Sequence, residues 1–217
     1  EKDRGVLNDP LLMLFRHPDQ HAYGVTVVPS EVLQYGGITY MKQELMRGFA
    51  RMCSTRGTEA TIDVLNIYFD IVSRAVHAES GEILKLMGDA ILAVFPVHGS
   101  GEDAERAAAW ACRRAATRAR DEIRVAREDE RALALRAGFG LTLGEVIYGN
   151  IGAPGRLDFT IIGDAVNLAA RLEKLSGTLG YELLLGPRMA RRADALGKTV
   201  GVVEVKGFHE PVDVFTL

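Results

Sequence analysis

Gly144-Glu-Val-Ile-Tyr-Gly-Asn-Ile-Gly152, followed by Asp158-Phe-Thr-Ile-Ile-Gly-Asp-Ala-Val-Asn-Leu-Ala-Ala-Arg-Leu172, decides how the chain is read. Alternation over the first stretch predicts a strand, its glycines a bend, and 158–162 a second short strand. A helix is expected to begin abruptly at Gly163-Asp164. Asp164 is the predicted N-cap, because its carboxylate can accept from the free amides of the first turn. Asn167 and Arg171 are four apart and share one face of that helix. An amide and a guanidinium near a helix start, beside a glycine-rich bend, suit a polyanion.

Working outward, residues 1–35 hold Pro10, Pro18 and Pro29 and read as an arm or linker, with the main domain at 36–217. A strand is expected at 38–44. Ile62, Leu65, Phe69, Val72 and Val76 recur at three-to-four spacing and predict a helix over 58–77. Two strands, 82–87 and 90–95, flank Gly88-Asp89 as a tight hairpin. An alanine-rich helix is expected over 102–130. A second hairpin is predicted from 135–143 and 145–148 around Gly144. After the Asp164 helix come a strand at 181–185, a short helix at 187–193, and strands near 199–205 and 212–217. The order is strand, helix, strand, strand, helix, strand, with elements appended. The expected fold class is α+β: a ferredoxin-like split βαβ antiparallel sheet with helices on one face plus C-terminal additions.

Bulk composition narrows the function classes. Of 217 residues, 47% are apolar, enough for a packed core. The formal charge of −3 argues against a nucleic-acid binder. No apolar run approaches the ~20 residues that span a bilayer, and no charged-then-apolar leader opens the chain. Cys53 and Cys112 are the only cysteines and read as free thiols in a reducing cytosol. The opening Glu1-Lys2-Asp3-Arg4 has no methionine, so the chain is read as cut from a longer protein with room for an upstream sensor or membrane domain.

Two side chains stand out in the first hairpin. Asp89 reads either as a turn residue or as a rigid carboxylate for a hard cation such as Mg²⁺. Lys85 lies inside an apolar strand, where alternation sets it opposite Leu84 and Leu86; a lone lysine there is either a solvent-face residue or a ligand contact.

From about Arg47 to Leu217 the chain resembles the class III adenylyl and guanylyl cyclase catalytic domain, of the bacterial adenylyl cyclase type. The strongest blocks are Lys85-Leu-Met-Gly-Asp-Ala-Ile-Leu-Ala-Val-Phe95, residues 144–152, residues 158–173 and Val205-Lys-Gly-Phe-His-Glu-Pro-Val-Asp-Val-Phe215. The resemblance implies that ATP is converted to 3′,5′-cyclic AMP and pyrophosphate with Mg²⁺ or Mn²⁺. It implies that Asp89 binds metal and that Lys85 and Thr160 read the purine. Asn167 would orient the ribose and Arg171 would stabilise charge on the α-phosphate. Lys206 and the loop Arg47-Gly48-Phe49 would contact the triphosphate. It also implies a cytoplasmic, head-to-tail homodimer with shared sites: the aspartates from one subunit, Lys85, Thr160, Asn167 and Arg171 from the other.

The pattern also departs from that family. Leu45 stands four residues before Phe49, where a second metal-binding aspartate is expected, and Glu44 beside it faces the other way on a regular strand. Thr142 replaces a common histidine and Gly138 a common arginine, with Arg136 on the same strand face as residue 138. The alternative class is therefore a catalytically silent, nucleotide-binding regulatory domain. A diguanylate cyclase is a third reading, but Met87-Gly-Asp-Ala90 lacks the acidic turn it would need.

Overall fold

The computed structural model describes residues 35–43, 58–128, 132, 135–153, 156–196, 198–205 and 207–217, with backbone alone for 35–43, 58, 148, 150–153 and 156–159. In chain order the elements are β1 (Tyr35–Gln43), α1 (Thr58–Ala78), β2 (Glu82–Met87), β3 (Ala90–Pro96), α2 (Glu102–Ala126), β4 (Ala137–Thr142), β5 (Ile147–Ala153) and β6 (Arg156–Ile162). There follow α3 (Asp164–Leu179), β7 (Leu183–Leu185), α4 (Pro187–Arg192), β8 (Thr199–Val203) and β9 (Val212–Phe215). Seven strands form one sheet in the order β2-β3-β1-β4-β7-β9-β8. Its first four strands are the split βαβ order, antiparallel throughout. The appended strands join through a parallel β4–β7 pairing. No described helix is long and apolar enough to cross a membrane.

Period-two alternation splits the buried residues between two faces. On one face Ile91, Ala93 and Phe95 of β3, Phe139 and Leu141 of β4, and Leu183 and Leu185 of β7 pack against α1, α2 and α4. Helix α2 presents Ala109, Cys112, Ala115, Ala116 and Ala119 to this core. Small side chains let it lie close to α1 and the sheet. The buried stripe of α1 is Val64, Tyr68, Ile71, Val72, Ala75 and Val76. That is rotated from the predicted one: Ile62 is half exposed, and Leu65 and Phe69 are only partly buried. Apolar residues lie on two sides of α1, and its packing against the alanine face of α2 selects the side centred on Tyr68 and Val72.

On the other face Leu92 and Val94 of β3, Leu184 of β7 and Val214 of β9 meet Ala169 and Leu172 of α3. The expectation of helices on one face thus holds for α1, α2 and α4, while α3 covers the opposite side. Glycines make this seat. A β-carbon at Gly140 would lie 2.1 Å from the Ala169 carbonyl oxygen and 2.6 Å from the Glu173 nitrogen. One at Gly138 would lie 2.3 Å from Ser176 Oγ. The strand must be bare there for α3 to lie flush.

The predicted second hairpin does not form between 135–143 and 145–148. Strand β4 is already paired with β1 on one edge and β7 on the other, so no edge remains for β5. Instead β5 pairs with β6 in a separate two-stranded sheet, in register from Ile147↔Ile162 to Ala153↔Arg156. The predicted helix over 102–130 ends at Ala126, with Arg127 as its C-cap.

Helix α4 is tied to the start of α2 by charge. Arg188 and Arg192 donate to Glu105 at 2.6 and 2.9 Å, and Arg192 also reaches Glu102 at 2.9 Å. Burial works to raise the Glu105 pKa, but the Arg188 and Arg192 hydrogen bonds outweigh it and hold the carboxyl below its ordinary 4.5. A lowered folded-state pKa contributes stability that is present above 4.5 and lost as pH falls through the folded value. Glu105→Gln should therefore lower the melting temperature at neutral pH, and the gap to wild type should close as melts are taken below pH 4.5. For the seat of α3, Gly140→Ala should destabilise the domain by about 1–3 kcal/mol in urea melts, because backbone atoms, not flexible side chains, must give way.

Candidate active site

The site residues gather on the face that carries α3 and the β5–β6 hairpin. One apolar cluster joins Leu84 and Met87 of β2, Leu92 and Val94 of β3, Ile161 of β6, and Ala165, Val166 and Ala169 of α3. Lys85, Thr160 and Asn167 each sit on an element of this cluster. Arg171 is one turn further along α3.

Lys85 reaches this face because of a bulge. The β2–β3 register runs Ile83↔Ala93 and then Lys85↔Leu92, so Leu84 is the extra residue. Directly paired residues share a face, and Leu92 belongs to the α3 side. The predicted alternation of Lys85 against Leu84 is thereby corrected: the inserted residue resets the period by one. Opposition between Lys85 and Leu86 survives, and Leu86 is 53% exposed. Bulges beside functional sites commonly re-aim a side chain in this way.

Thr160 pairs with Gly149 across β5–β6 and is partly buried, adjacent to the buried Ile161. Asn167 and Arg171 are exposed on α3, whose opposite side buries Ala169, Leu172, Glu173 and Ser176. The Arg171 side chain has no hydrogen bond or ion pair with any described residue. The N-cap of α3 is Gly163, with no side-chain capping bond, so Asp164 is the first helical residue and not the predicted cap. Gly163 adopts φ 154°, and a β-carbon there would lie 3.0 Å from the Glu145 carbonyl oxygen. Glycine alone suits that junction. Asp164 still places a carboxylate in the first turn, where the helix dipole favours it.

The Thr142 hydroxyl, almost wholly buried, donates to the Ala165 carbonyl oxygen at 2.8 Å. It fastens the end of β4 to the first turn of α3, two residues before Asn167. Position 138 has no room for an arginine, since even a β-carbon meets Ser176. Arg136 lies before β4 begins and donates to the Leu135 carbonyl oxygen at 3.1 Å. Gly140 is the site-building residue that motif reading missed, and Thr142 was read only as a departure from the family. The signal for Gly140 was the Gly138-x-Gly140 repeat inside a strand, which marks close approach of another backbone.

Asp89 occupies the two-residue turn between β2 and β3, after Gly88 at φ 64°. Its Oδ2 is buried and has no hydrogen-bond partner among the described residues. A buried carboxylate oxygen left without a donor is costly unless a cation or ligand completes it. That fits one ligand of a divalent ion. Among the described residues no cluster of three or more His, Cys, Asp or Glu side chains could hold a metal alone. Further donors must come from substrate or from elsewhere. Arg47, Gly48, Phe49 and Lys206, with Glu44 and Leu45, lie outside the described residues.

Comparison with known proteins bears on the fold and the family. The adenylyl cyclase CyaB from P. aeruginosa superposes with a TM-score of 0.70 at 28% identity, over 82% of this chain and 91% of that one. The guanylyl cyclase Cya2 gives 0.60 at 27% identity, over 82% and 90%. Adenylate cyclase 1 of Rhizobium meliloti is 28% identical over 208 residues, 87% of this chain and 30% of that protein. The adenylate cyclase of Anabaena cylindrica is 29% identical over 175 residues, 78% of this chain and 34% of that protein. The chain thus spans about a third of the length of these curated relatives. Residues 33–207 match the adenylate and guanylate cyclase catalytic domain. With four-fifths of its length so matched, the chain belongs to that family.

Proposed function

We propose that this domain is an adenylyl cyclase working as a head-to-tail homodimer, converting ATP to 3′,5′-cyclic AMP and pyrophosphate. The observation that carries it is that Lys85, Thr160 and Asn167 stand on elements joined by one apolar cluster, with Arg171 one turn further along α3 and, among the described residues, no hydrogen-bond partner for Arg171 or for the buried carboxylate oxygen of Asp89. These are complementary half-sites, and a second copy would bring the halves together.

The ribose 3′-hydroxyl attacks the α-phosphorus, the bond to the bridging oxygen breaks, and pyrophosphate leaves. The chain needs no covalent nucleophile for this. It must position the hydroxyl in line and place positive charge where the phosphate oxygens gain it. Asn167 holds the ribose by its amide. Arg171, with no competing carboxylate among the described residues, offers its fork to the α-phosphate oxygens. Asp89, from the other subunit, would hold Mg²⁺ or Mn²⁺, which when bound neutralises charge on the triphosphate. Arg47, Gly48, Phe49 and Lys206 are assigned to the phosphates from the sequence. ATP places the reaction in the cytoplasm.

Base choice rests on Lys85. Its ammonium can donate to adenine N1, an acceptor, whereas guanine carries a proton there. Thr160 can accept from the 6-amino group or donate to a carbonyl and so discriminates weakly. Relatives of both specificities lie at similar identity, so likeness alone does not choose the base.

The test is cyclic-nucleotide formation from ATP and GTP by the purified domain. ATP should be preferred by ~1–3 kcal/mol for each hydrogen bond that differs. Arg171→Ala should cost on the order of 10²–10³ in turnover, and Asp89→Ala should abolish it. Mixing those two inactive variants should restore part of the activity, because one site of each mixed dimer is intact. Equal use of both nucleotides would sink the base assignment; no rescue on mixing would sink the shared site.

Leu45 favours a second reading, a nucleotide-binding domain without turnover. With Asp89 as the sole matched metal ligand, activity should be low and favour Mn²⁺ over Mg²⁺, which demands near-ideal oxygen ligation. Leu45→Asp should raise the Mg²⁺ rate. ATP binding with no turnover in either form would establish the regulatory reading instead.

A further inference from the structure

On the side of the sheet away from the candidate active site, the outer surface of α2 carries an open cleft of about 710 Å³. Among the described residues its cations are Arg113, Arg114, Arg118, Arg120, Arg124 and Lys198, against Glu79 and Asp121 in the lining and Glu122 and Glu182 paired beside it. That leaves a local surplus of two positive charges (six cations, four carboxylates) on a chain that carries −3 overall. Residues 113, 117, 120 and 124 recur at helical spacing, which strings charge and the Thr117 hydroxyl along ~16 Å of one helix face.

Most of these guanidiniums are held in place by ion pairs. Arg114 pairs with Glu79 at 2.7 Å, Arg118 with Glu122 at 2.9 Å and Arg120 with Asp121 at 2.9 Å, while Arg124 is anchored on Glu182. Part of the ordering entropy that a ligand would otherwise meet is thereby already spent. Two cations are not neutralised by any described residue. Arg113 lies 4.6 Å from the Trp110 ring centroid and donates to the Ala193 carbonyl oxygen, neither of which cancels its charge. The Lys198 side chain has no hydrogen bond or ion pair with any described residue; only its backbone carbonyl is engaged, accepting from the Thr216 amide.

We infer that this cleft is a second, non-catalytic anion site for an oligophosphate: a compact anion with several phosphate groups. Arginine forks match phosphate oxygens two at a time. The volume lies within the range of small-molecule sites. Among the described residues Leu217 is the only apolar side chain lining it, so the side-chain anchors of a peptide or the acyl chains of a bilayer find little there to hold them.

Trp110 is the only tryptophan in the chain and sits against Arg113, so its fluorescence reports on the cleft. The domain would be titrated with inorganic tripolyphosphate at fixed ionic strength. The expected result is a saturable change with half-saturation on the order of 1 mM or below. It should weaken at least tenfold in Lys198→Glu/Arg118→Glu and measurably in the milder Lys198→Ala, with circular dichroism unchanged. Arg171→Ala and Asp89→Ala, both on the proposed catalytic side, should leave it unaltered. A change that never saturates, that survives both cleft variants, or that disappears in Arg171→Ala overturns the site. So does binding to phosphatidylserine vesicles that tripolyphosphate fails to displace, which would give the face to a lipid surface.

Discussion

The flush contact between α3 and β4 is the constraint on which the site depends. Gly138 and Gly140 strip the strand of side chains where the helix crosses it, and their β-carbons would collide with Ala169, Glu173 and Ser176. Thr142 then hydrogen-bonds the Ala165 carbonyl oxygen and sets the helix along its axis as well as in height. Asn167 and Arg171 acquire their positions from that seat and from the Gly163 junction before it. A helix held against backbone has little freedom to rock, which suits groups that must meet a reacting phosphate within a fraction of an ångström.

The two faces of the sheet divide the labour. The larger core holds the fold through Tyr68, Phe95, Phe139 and the alanine face of α2, and none of the proposed catalytic groups lies in it. The smaller cluster under α3 is built from short contacts among β2, β3, β6 and α3, and it is there that polar groups stand exposed or unpartnered. Keeping Asp89 without a donor costs stability. The cost is sustainable because it falls at a turn, outside the main core. Functional sites commonly retain such unsatisfied groups, since the ligand supplies the missing partner.

Local pattern made much of this legible. Strands β2 and β3 and helix α1 fall within a residue or so of the limits read from periodicity, because each is a single amphipathic or buried run. The split βαβ order followed from their sequence. What escaped reading was non-local. Gly144 between two apolar stretches looks like a hairpin turn, but β4 has both edges occupied by strands from elsewhere in the chain, and β5 must find β6. The bulge at Leu84 has no residue signature, yet it decides which face Lys85 occupies. Asp164 resembles a cap, but the extreme φ at Gly163 moves the helix start by one residue. The phosphate-loop residues Arg47 to Phe49, and Lys206, rest on the sequence alone.

In the proposed function a single copy is an incomplete machine. Lys85 and Asp89 lie on one short hairpin, four residues apart, yet their proposed roles are at opposite ends of a nucleotide: base and triphosphate. Two copies arranged head to tail, as proposed, would resolve this, each hairpin giving its lysine to one nucleotide and its aspartate to the other. The edge strand β2, which carries Lys85 and leads into the turn that holds Asp89, has Leu86 half exposed, and such an edge would let a second copy approach both residues. Sharing of the proposed kind would couple the two sites: any movement of one copy against the other would shift Asp89 relative to Arg171 in both at once. Regulation of such a dimer would need no separate switch within the domain, only something that changes how the two copies meet.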